Sequence, residues 1–157
     1  MNEVVRKARA LGVTIVHAPS DVISYYEAHP ARNHVLAAPP VAPPVPIPAW
    51  CYLDTTREAA LPIDDSDGGC DDPGSTERRA WSRQIASIEI MDTDGISDNG
   101  QEIYSFLHQR GIKNVVLMGV HTNMCVLGRS FGIRAQKMVG KNVVLARDLT
   151  DAMYNPA

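Results

Sequence analysis

Two continuous apolar segments, separated by a stretch of helical length, constrain the fold of this chain more than any other feature. They are residues 114–120 (NVVLMGV) and residues 142–147 (NVVLAR). The intervening residues, from about Thr122 to Val139, are predicted to form one helix that Gly140 ends. A strand–helix–strand unit of this length predicts parallel strands joined by a right-handed crossover. Uninterrupted apolar strands further predict helices on both faces of the sheet.

The segments before this unit give weaker signals of the same kind. Residues 1–11 are predicted helical up to Gly12, and residues 13–17 (VTIVH) and 87–91 (SIEIM) are predicted strands. A short helix is predicted around residues 21–28. A further helix is predicted to start at Asp98, with Gln101 completing a capping box, and to end at Gly111. Its apolar face comprises Ile103, Phe106 and Leu107.

Composition favours a single α/β domain spanning residues 1–157, with residues 37–80 as a loop insertion. Of the residues, 45% are apolar and 21% are charged, and the net charge is -3. Without a block of Lys and Arg we expect no nucleic-acid partner, and without an apolar run of membrane-spanning length we expect no membrane partner. Three cysteines do not form a disulfide framework. Cys51 and Cys70 either pair or stay free thiols, so the compartment is left undecided.

Two parts of the insertion permit functional as well as structural interpretations. Residues 39–48 (PPVAPPVPIP) are expected to be extended, either as a stiff covering loop, which we favour, or as the ligand of a proline-binding module. The acidic residues that follow suggest calcium binding, but their spacing fails the EF-hand pattern and favours a solvated loop. These acidic residues are Asp64, Asp65, Asp67, Asp71 and Asp72.

The segment GVHTNMCV, residues 119–126, concentrates the residues that could carry chemistry. It follows a predicted parallel strand, and ligands of open parallel sheets bind beyond the carboxyl ends of the strands. Thr122 is a plausible helix N-cap, which places Cys125 in the first helical turn. Unpaired backbone N–H groups there stabilise a thiolate and could hold an oxyanion. A small core cysteine is the alternative interpretation.

GVHTNMCV, together with GKNVVLARD at residues 140–148, resembles the signature of isochorismatase-like cysteine hydrolases, which include nicotinamidases and N-carbamoyl-amide hydrolases. The resemblance covers about residues 1–36 and 85–156. It implies a three-layer α/β/α fold with a mainly parallel, Rossmann-like sheet. It also implies that Cys125 attacks an amide-type carbon to give an acyl-enzyme. A cis peptide at Val120–His121 and an oxyanion hole from the N–H groups of His121 and Cys125 are further implications.

The chain departs from the family at the two residues that assist the cysteine. The family's catalytic Asp ends a first, central strand that would precede Met1, so we expect a chain truncated at its N-terminus. The family's Lys corresponds approximately to Thr93, which is flanked by Asp92 and Asp94. A carboxylate cannot replace an ammonium, but one of these, with Asp92 as the candidate, could serve as the base.

Four residues beside Cys125 complete the candidate site. His121 could act as general base or ion-pair partner of the cysteine, or simply line the pocket. Thr122 and Asn123 are placed in the substrate-binding set. Arg129, four residues beyond Cys125, could bind a substrate carboxylate or phosphate, or form a surface or interface salt bridge.

Four polar residues, His17, Asp21, His29 and His34, also permit a metal site, but ordinary polar roles are favoured and no metal or cofactor is expected. The leading hypothesis is a hydrolase that cleaves a C–N bond of a small molecule through Cys125, in a chain that forms homo-oligomers. The alternative is a binding or scaffold domain that kept the fold without the Asp and Lys.

Overall fold

In the described part of the chain, four parallel strands form two separate two-stranded sheets. The computed structural model describes residues 1–60 and 81–153. β1 (Val16–His17) pairs with β2 (Gly95–Ile96), and β3 (Asn114–Val120) pairs with β4 (Asn142–Asp151). Within the described ranges no strand joins the two sheets. The α/β class is therefore confirmed, whereas a three-layer α/β/α fold around one mainly parallel sheet stays a prediction.

The first helix and strand follow the sequence-based prediction closely. α1 (Asn2–Ala10) buries Val5, and Gly12, with φ of +80°, stands just beyond its end. The left-handed conformation at Gly12 is one that glycine adopts without steric cost. β1 is shorter than predicted, because only the last two residues of VTIVH pair with a neighbouring strand.

The next segment contains a helix that sequence analysis missed. A 3₁₀ turn at Ile23–Tyr26 occupies the region where a short helix was predicted, and α2 (Pro30–Leu36) follows it. His29 is the N-cap of α2, since its Nδ1 accepts the Ala31 N–H at 3.1 Å. Pro30 in the first helical position was the signal that could have predicted this helix.

The strand predicted at residues 87–91 does not form; β2 lies a few residues later. The backbone N–H and carbonyl groups there form hydrogen bonds within local turns instead of bonds to a neighbouring strand. The Ile88 N–H donates to the Ile85 carbonyl at 3.1 Å, and the Asp94 N–H donates to the Met91 carbonyl at 2.9 Å. The Asp94 carboxylate also accepts the Met91 N–H at 2.8 Å. Asp94 therefore closes a turn in a segment that its apolar alternation predicts as a strand.

α3 (Gly100–Gln109) carries the main apolar core. Its N-cap is Asn99 rather than the predicted Asp98: the Asn99 Oδ1 accepts the N–H groups of Gln101 and Glu102 at 2.9 and 3.1 Å. Gly111, with φ of +63°, follows the end of the helix as predicted. The predicted apolar face is confirmed, because Ile103, Phe106 and Leu107 pack with Val35 and Ala38.

The Pro-rich segment lies along α3 without regular structure. The Val41 N–H donates to Ser105 Oγ at 3.1 Å, and the Val41 carbonyl accepts the Gln101 Nε2 at 2.7 Å. These contacts agree with a covering loop. The acidic residues 64–72 and Cys70 lie outside the described residues.

β3 and β4 run parallel in the predicted order, but one face of their sheet is open. Val115 packs against the core cluster on α3. Val116 and Val144 are register partners and are 65% and 60% exposed, respectively. Because side chains alternate between faces along a strand, the Val116 face is the uncovered one. Among the described residues no helix covers this face, so the predicted covering of both faces by helices is not confirmed for this sheet.

The prediction of one long crossover helix between β3 and β4 is wrong, because the segment forms two separate helical pieces. A π-helical turn at Thr122–Val126 is followed by α4 (Ile133–Met138). Between them the chain forms an antiparallel bridge, Trp50 with Arg129, and the Gly128 carbonyl accepts the Cys51 N–H at 2.6 Å. Gly128 thus packs on Trp50 rather than on the sheet; a Cβ there would lie 2.6 Å from the indole ring.

No helix within residues 1–60 and 81–153 has both the length and the apolar character needed to cross a membrane.

Candidate active site around Cys125

Cys125 lies in the first helical turn beyond the carboxyl end of β3, as predicted. It is a free, half-buried thiol in the π-helical turn. The His121 carbonyl accepts the N–H groups of Met124 and Val126 at 3.1 and 3.2 Å, which fixes the width of the turn. The Val120–His121 peptide bond is cis, as the resemblance implies. Cys125 is therefore a partly exposed residue at the sheet edge where ligands of parallel sheets bind.

Arg129 is the cation nearest to this thiol along the same segment. Its backbone N–H donates to the Cys125 carbonyl at 3.1 Å, so the two residues stand one helical turn apart. Burial opposes the charge of the guanidinium, but its interactions with the Asp21 carboxylate and with Cys125 prevail and raise the pKa of Arg129. A cation beside a cysteine favours the thiolate.

Three groups surround the guanidinium of Arg129. Its Nη2 and Nη1 donate to the Asp21 carboxylate at 2.5 and 3.3 Å, and its carbon lies 5.6 Å from the centre of the Trp50 ring. Its Nε is buried and has no hydrogen-bond acceptor of good geometry among the described residues. A buried N–H without an acceptor is uncommon in folded proteins.

Asp21 is held in an unusual backbone conformation. Its φ is +62°, in the left-handed region that Asp adopts more readily than most residues. Its backbone N–H donates to the carboxylate of Asp98 at 2.8 Å. Asp98, predicted as a helix cap, therefore orients the residue that pairs with Arg129. No pattern in the sequence signals the Asp21–Arg129 pair or the stacking of Trp50, because long sequence separations divide the partners.

The side chains of Thr122 and Asn123 bond the backbone of the last residue of β4 and of a residue just beyond it. The Thr122 hydroxyl donates to the Asp151 carbonyl at 3.0 Å. The Asn123 amide bonds the carbonyl and the N–H of Met153 at 2.6 and 2.9 Å. These contacts join the turn that carries Cys125 to the neighbouring strand. Substrate binding by the two side chains stays a prediction.

His121 and Asp92, the candidate bases, differ in their positions. His121 is half-buried at the junction of β3 and the π-helical turn, and its ring has no hydrogen-bond partner among the described residues. Asp92 is exposed in the turn before β2. That strand belongs to the β1–β2 sheet, whereas Cys125 follows β3 of the other sheet. No hydrogen bond joins Asp92 to Cys125, His121 or Arg129. His121 is therefore the better supported of the two.

Asp94, the other acidic residue near the expected lysine position, belongs to a buried network. Asp94 and His17 are 2% and 5% exposed. The Asp94 carboxylate accepts from Arg9 at 2.6 and 2.9 Å and lies 3.1 Å from the His17 ring. Burial would raise the pKa of Asp94, but the bonds from Arg9, the Met91 N–H and His17 lower it. Through these contacts Asp94 connects α1, β1 and the turn before β2.

The four residues considered as metal ligands are engaged separately. His17 bonds Asp94, Asp21 bonds Arg129, and His29 caps α2. His34 bonds the Asp94 carbonyl and Arg110 at 3.0 and 2.7 Å. The described part of the chain contains no cluster of three residues suited to a metal ion.

A second cysteine and two surface depressions are separate from the site around Cys125. Cys51 is buried, and burial raises the pKa of its thiol. Two open depressions are lined in part by Tyr25 and Arg83 and by Arg6 and Met91, respectively, and Cys125 lines neither.

The chain matches no family model, no curated protein and no solved structure.

Proposed function

We propose that this protein is a cysteine hydrolase that cleaves an amide-type C–N bond of a small molecule through an acyl-enzyme on Cys125. One observation carries the proposal: a half-buried free cysteine lies at the carboxyl end of a parallel strand, one helical turn before the cationic residue Arg129. A parallel-sheet edge is a common ligand site, and a neighbouring cation makes a cysteine nucleophilic at neutral pH. The resemblance of residues 119–126 to isochorismatase-like hydrolases agrees with this chemistry.

The proposed reaction has two steps. The Cys125 thiolate attacks the carbonyl carbon and forms a C–S bond, the C–N bond breaks, and the amine leaves with a proton. Water then attacks the thioester, releases the carboxylic acid and restores the thiol. The N–H groups of His121 and Cys125 would bind the oxyanion of each tetrahedral intermediate. The half-buried ring of His121, which has no partner in the described structure, would exchange the protons.

Selective alkylation tests the proposal. A variant with Cys51→Ser and Cys70→Ser retains Cys125 as its single thiol. We expect iodoacetamide to modify this variant at pH 6 at least about tenfold faster than glutathione, because only the thiolate reacts. Electrospray mass spectrometry locates and times the modification. Unfolding midpoints before alkylation show whether the variant remains folded. A rate equal to that of glutathione at every pH contradicts the proposal.

A second experiment tests turnover directly. An activated ester such as p-nitrophenyl acetate should acetylate Cys125 and leave a mass increase that hydroxylamine removes. Cys125→Ser should lose the fast acetylation, and Cys51→Ser should retain it. Acetylation that is equal in both variants contradicts an acyl-enzyme on Cys125.

A non-catalytic binding or scaffold domain is the second candidate. The observation that favours it is the engagement of the residues around the thiol: Thr122 and Asn123 bond the backbone at and just beyond the end of β4, and Arg129 bonds Asp21. Thr93, near the expected lysine position, is exposed and carries no charge. A Cys125 that behaves as an ordinary thiol in both experiments supports this candidate.

Self-association remains part of the proposal. The exposed register pair Val116 and Val144 presents apolar surface on one face of the β3–β4 sheet. Such surface commonly marks an interface. Light scattering after size exclusion should show an oligomer that replacement of both valines by Thr converts to monomer. A monomeric parent chain contradicts this part.

A further inference from the structure

We propose that Asp21 is a positioning residue for Cys125: it holds the Arg129 guanidinium so that the buried Nε–H is ready to donate to the thiolate. This inference rests on the proposed function, because it describes how the nucleophile is activated. Arg129 is here a partner of the cysteine rather than a binder of the substrate's anion. Arg129, oriented by Asp21, would supply the positive charge that the sequence lacks near Thr93.

The arrangement of donors on Arg129 is the first argument. Both terminal nitrogens are used by the Asp21 carboxylate, and Nε alone is left without an acceptor in the described structure. Cys125 lies one helical turn before Arg129, and its carbonyl accepts the Arg129 N–H at 3.1 Å. A neutral thiol is a weak acceptor, whereas a thiolate is a strong one. Ionisation of Cys125 would therefore satisfy a donor that is otherwise unpaired.

The rigidity of the pair is the second argument. The Asp98 carboxylate holds the Asp21 backbone N–H, and Trp50 flanks the guanidinium. Trp50 is itself fixed against Gly128 by the backbone bridge to Arg129. An Arg side chain has many rotamers in solution, and a two-point bond to a carboxylate selects one of them. Asp21 thus contributes orientation, although its own negative charge disfavours the thiolate.

Orientation and charge make opposite predictions for removal of Asp21, so one experiment separates them. The alkylation rate of Cys125 is measured from pH 5.5 to pH 9.5 in the single-thiol background, where His121 is present in every variant. Arg129→Gln should lower the rate at pH 6 about tenfold and leave the rate at pH 9.5 nearly unchanged. Asp21→Ala should lower the rate at pH 6 about threefold, because the released guanidinium no longer aims its Nε–H at the sulfur.

Conservative variants and stability serve as controls. Arg129→Lys keeps the positive charge but loses the planar two-point donor geometry of the guanidinium. At pH 6 it should restore less than half of the alkylation rate that Arg129→Gln loses. Urea midpoints show that the variants remain folded, and an unchanged rate at pH 9.5 shows that access of the reagent to the Cys125 sulfur is not reduced. Should Asp21→Ala raise the rate at pH 6, or leave it unchanged, the positioning role is overturned. The proposed function fails separately, if the parent chain itself shows no enhanced reactivity.

Discussion

Arg129 and Asp21, separated by 108 positions in sequence, form a two-point ion pair beside the candidate nucleophile. Arg129 follows β3 and Asp21 follows β1, so the pair connects the regions of the two separate sheets. The side chains of Arg129 and Asp21 are 28% and 45% exposed, and an ion pair so open to water contributes little to stability on its own. Its importance is expected to lie in the orientation of groups around Cys125.

Removal of the Asp94 carboxylate should strongly destabilise the fold. Asp94→Ala leaves Arg9 and His17 without their shared acceptor in a buried site, which is expected to cost about 3–5 kcal/mol. Asp92→Ala, two residues away and exposed, is the matched control and should change stability by less than about 0.5 kcal/mol. Urea unfolding followed by circular dichroism measures both. Equal effects of the two variants would show that the network is unimportant.

Stability should fall in acid because two paired carboxylates have lowered pKa values. The hydrogen bond from Arg32 lowers the pKa of Glu102, and Arg9, Met91 and His17 lower that of Asp94 against the effect of burial. In the unfolded chain both groups titrate near their ordinary values, about 4.3 for Glu102 and about 3.9 for Asp94. Their contribution is therefore complete above about pH 5 and is lost as pH falls through the lowered folded-state values.

The urea midpoint measured between pH 6 and pH 2.5 checks this dependence. The midpoint should be nearly constant at first and then decrease below about pH 4.5. Asp94→Asn should start from a lower midpoint and show a shallower decrease, because one of the two groups is gone. A midpoint that rises on acidification is incompatible with the ion pairs described here.

A methyl group at Gly128 should disturb the docking of Trp50. The added Cβ would lie 2.6 Å from two atoms of the indole ring, which must then move. We expect Gly128→Ala to cost about 1–3 kcal/mol, the usual range for overpacking. Trp50→Ala in the same chain should remove most of that additional cost. A double-mutant cycle of urea unfolding energies measures the coupling, and additive effects would exclude the contact.

The identity of the α3 cap is testable by substitution at Asn99. Asn99→Ala removes the acceptor for the N–H groups of Gln101 and Glu102 and should cost about 0.5–2 kcal/mol. Asn99→Asp keeps an acceptor at the helix N-terminus and should retain most of the stability. Thermal melting of both variants provides the measurement. A loss as large for Asp as for Ala would indicate that capping is not the source of the effect.

The elements that sequence analysis predicted correctly are those whose signals are local. α1, β3, the start of β4 and the apolar face of α3 were predicted because their periodicity and terminal glycines depend on nearby residues. The position of Cys125 in a first helical turn was predicted for the same reason. The capping residue was displaced by one position, because Asp98 and Asn99 are both good caps and only the backbone path selects between them.

Tertiary structure decided the rest, since it depends on residues far apart in the chain. The predicted strand at residues 87–91 became turns because Asp94 took the Met91 N–H, and the crossover helix broke where Trp50 pairs with Arg129. The partner of Arg129 could likewise not be predicted, because Asp21 lies 108 positions away and is near it only in the folded chain. Local patterns fix what a segment can form, whereas a carboxylate or an indole ring from another segment fixes which backbone and charged groups remain available.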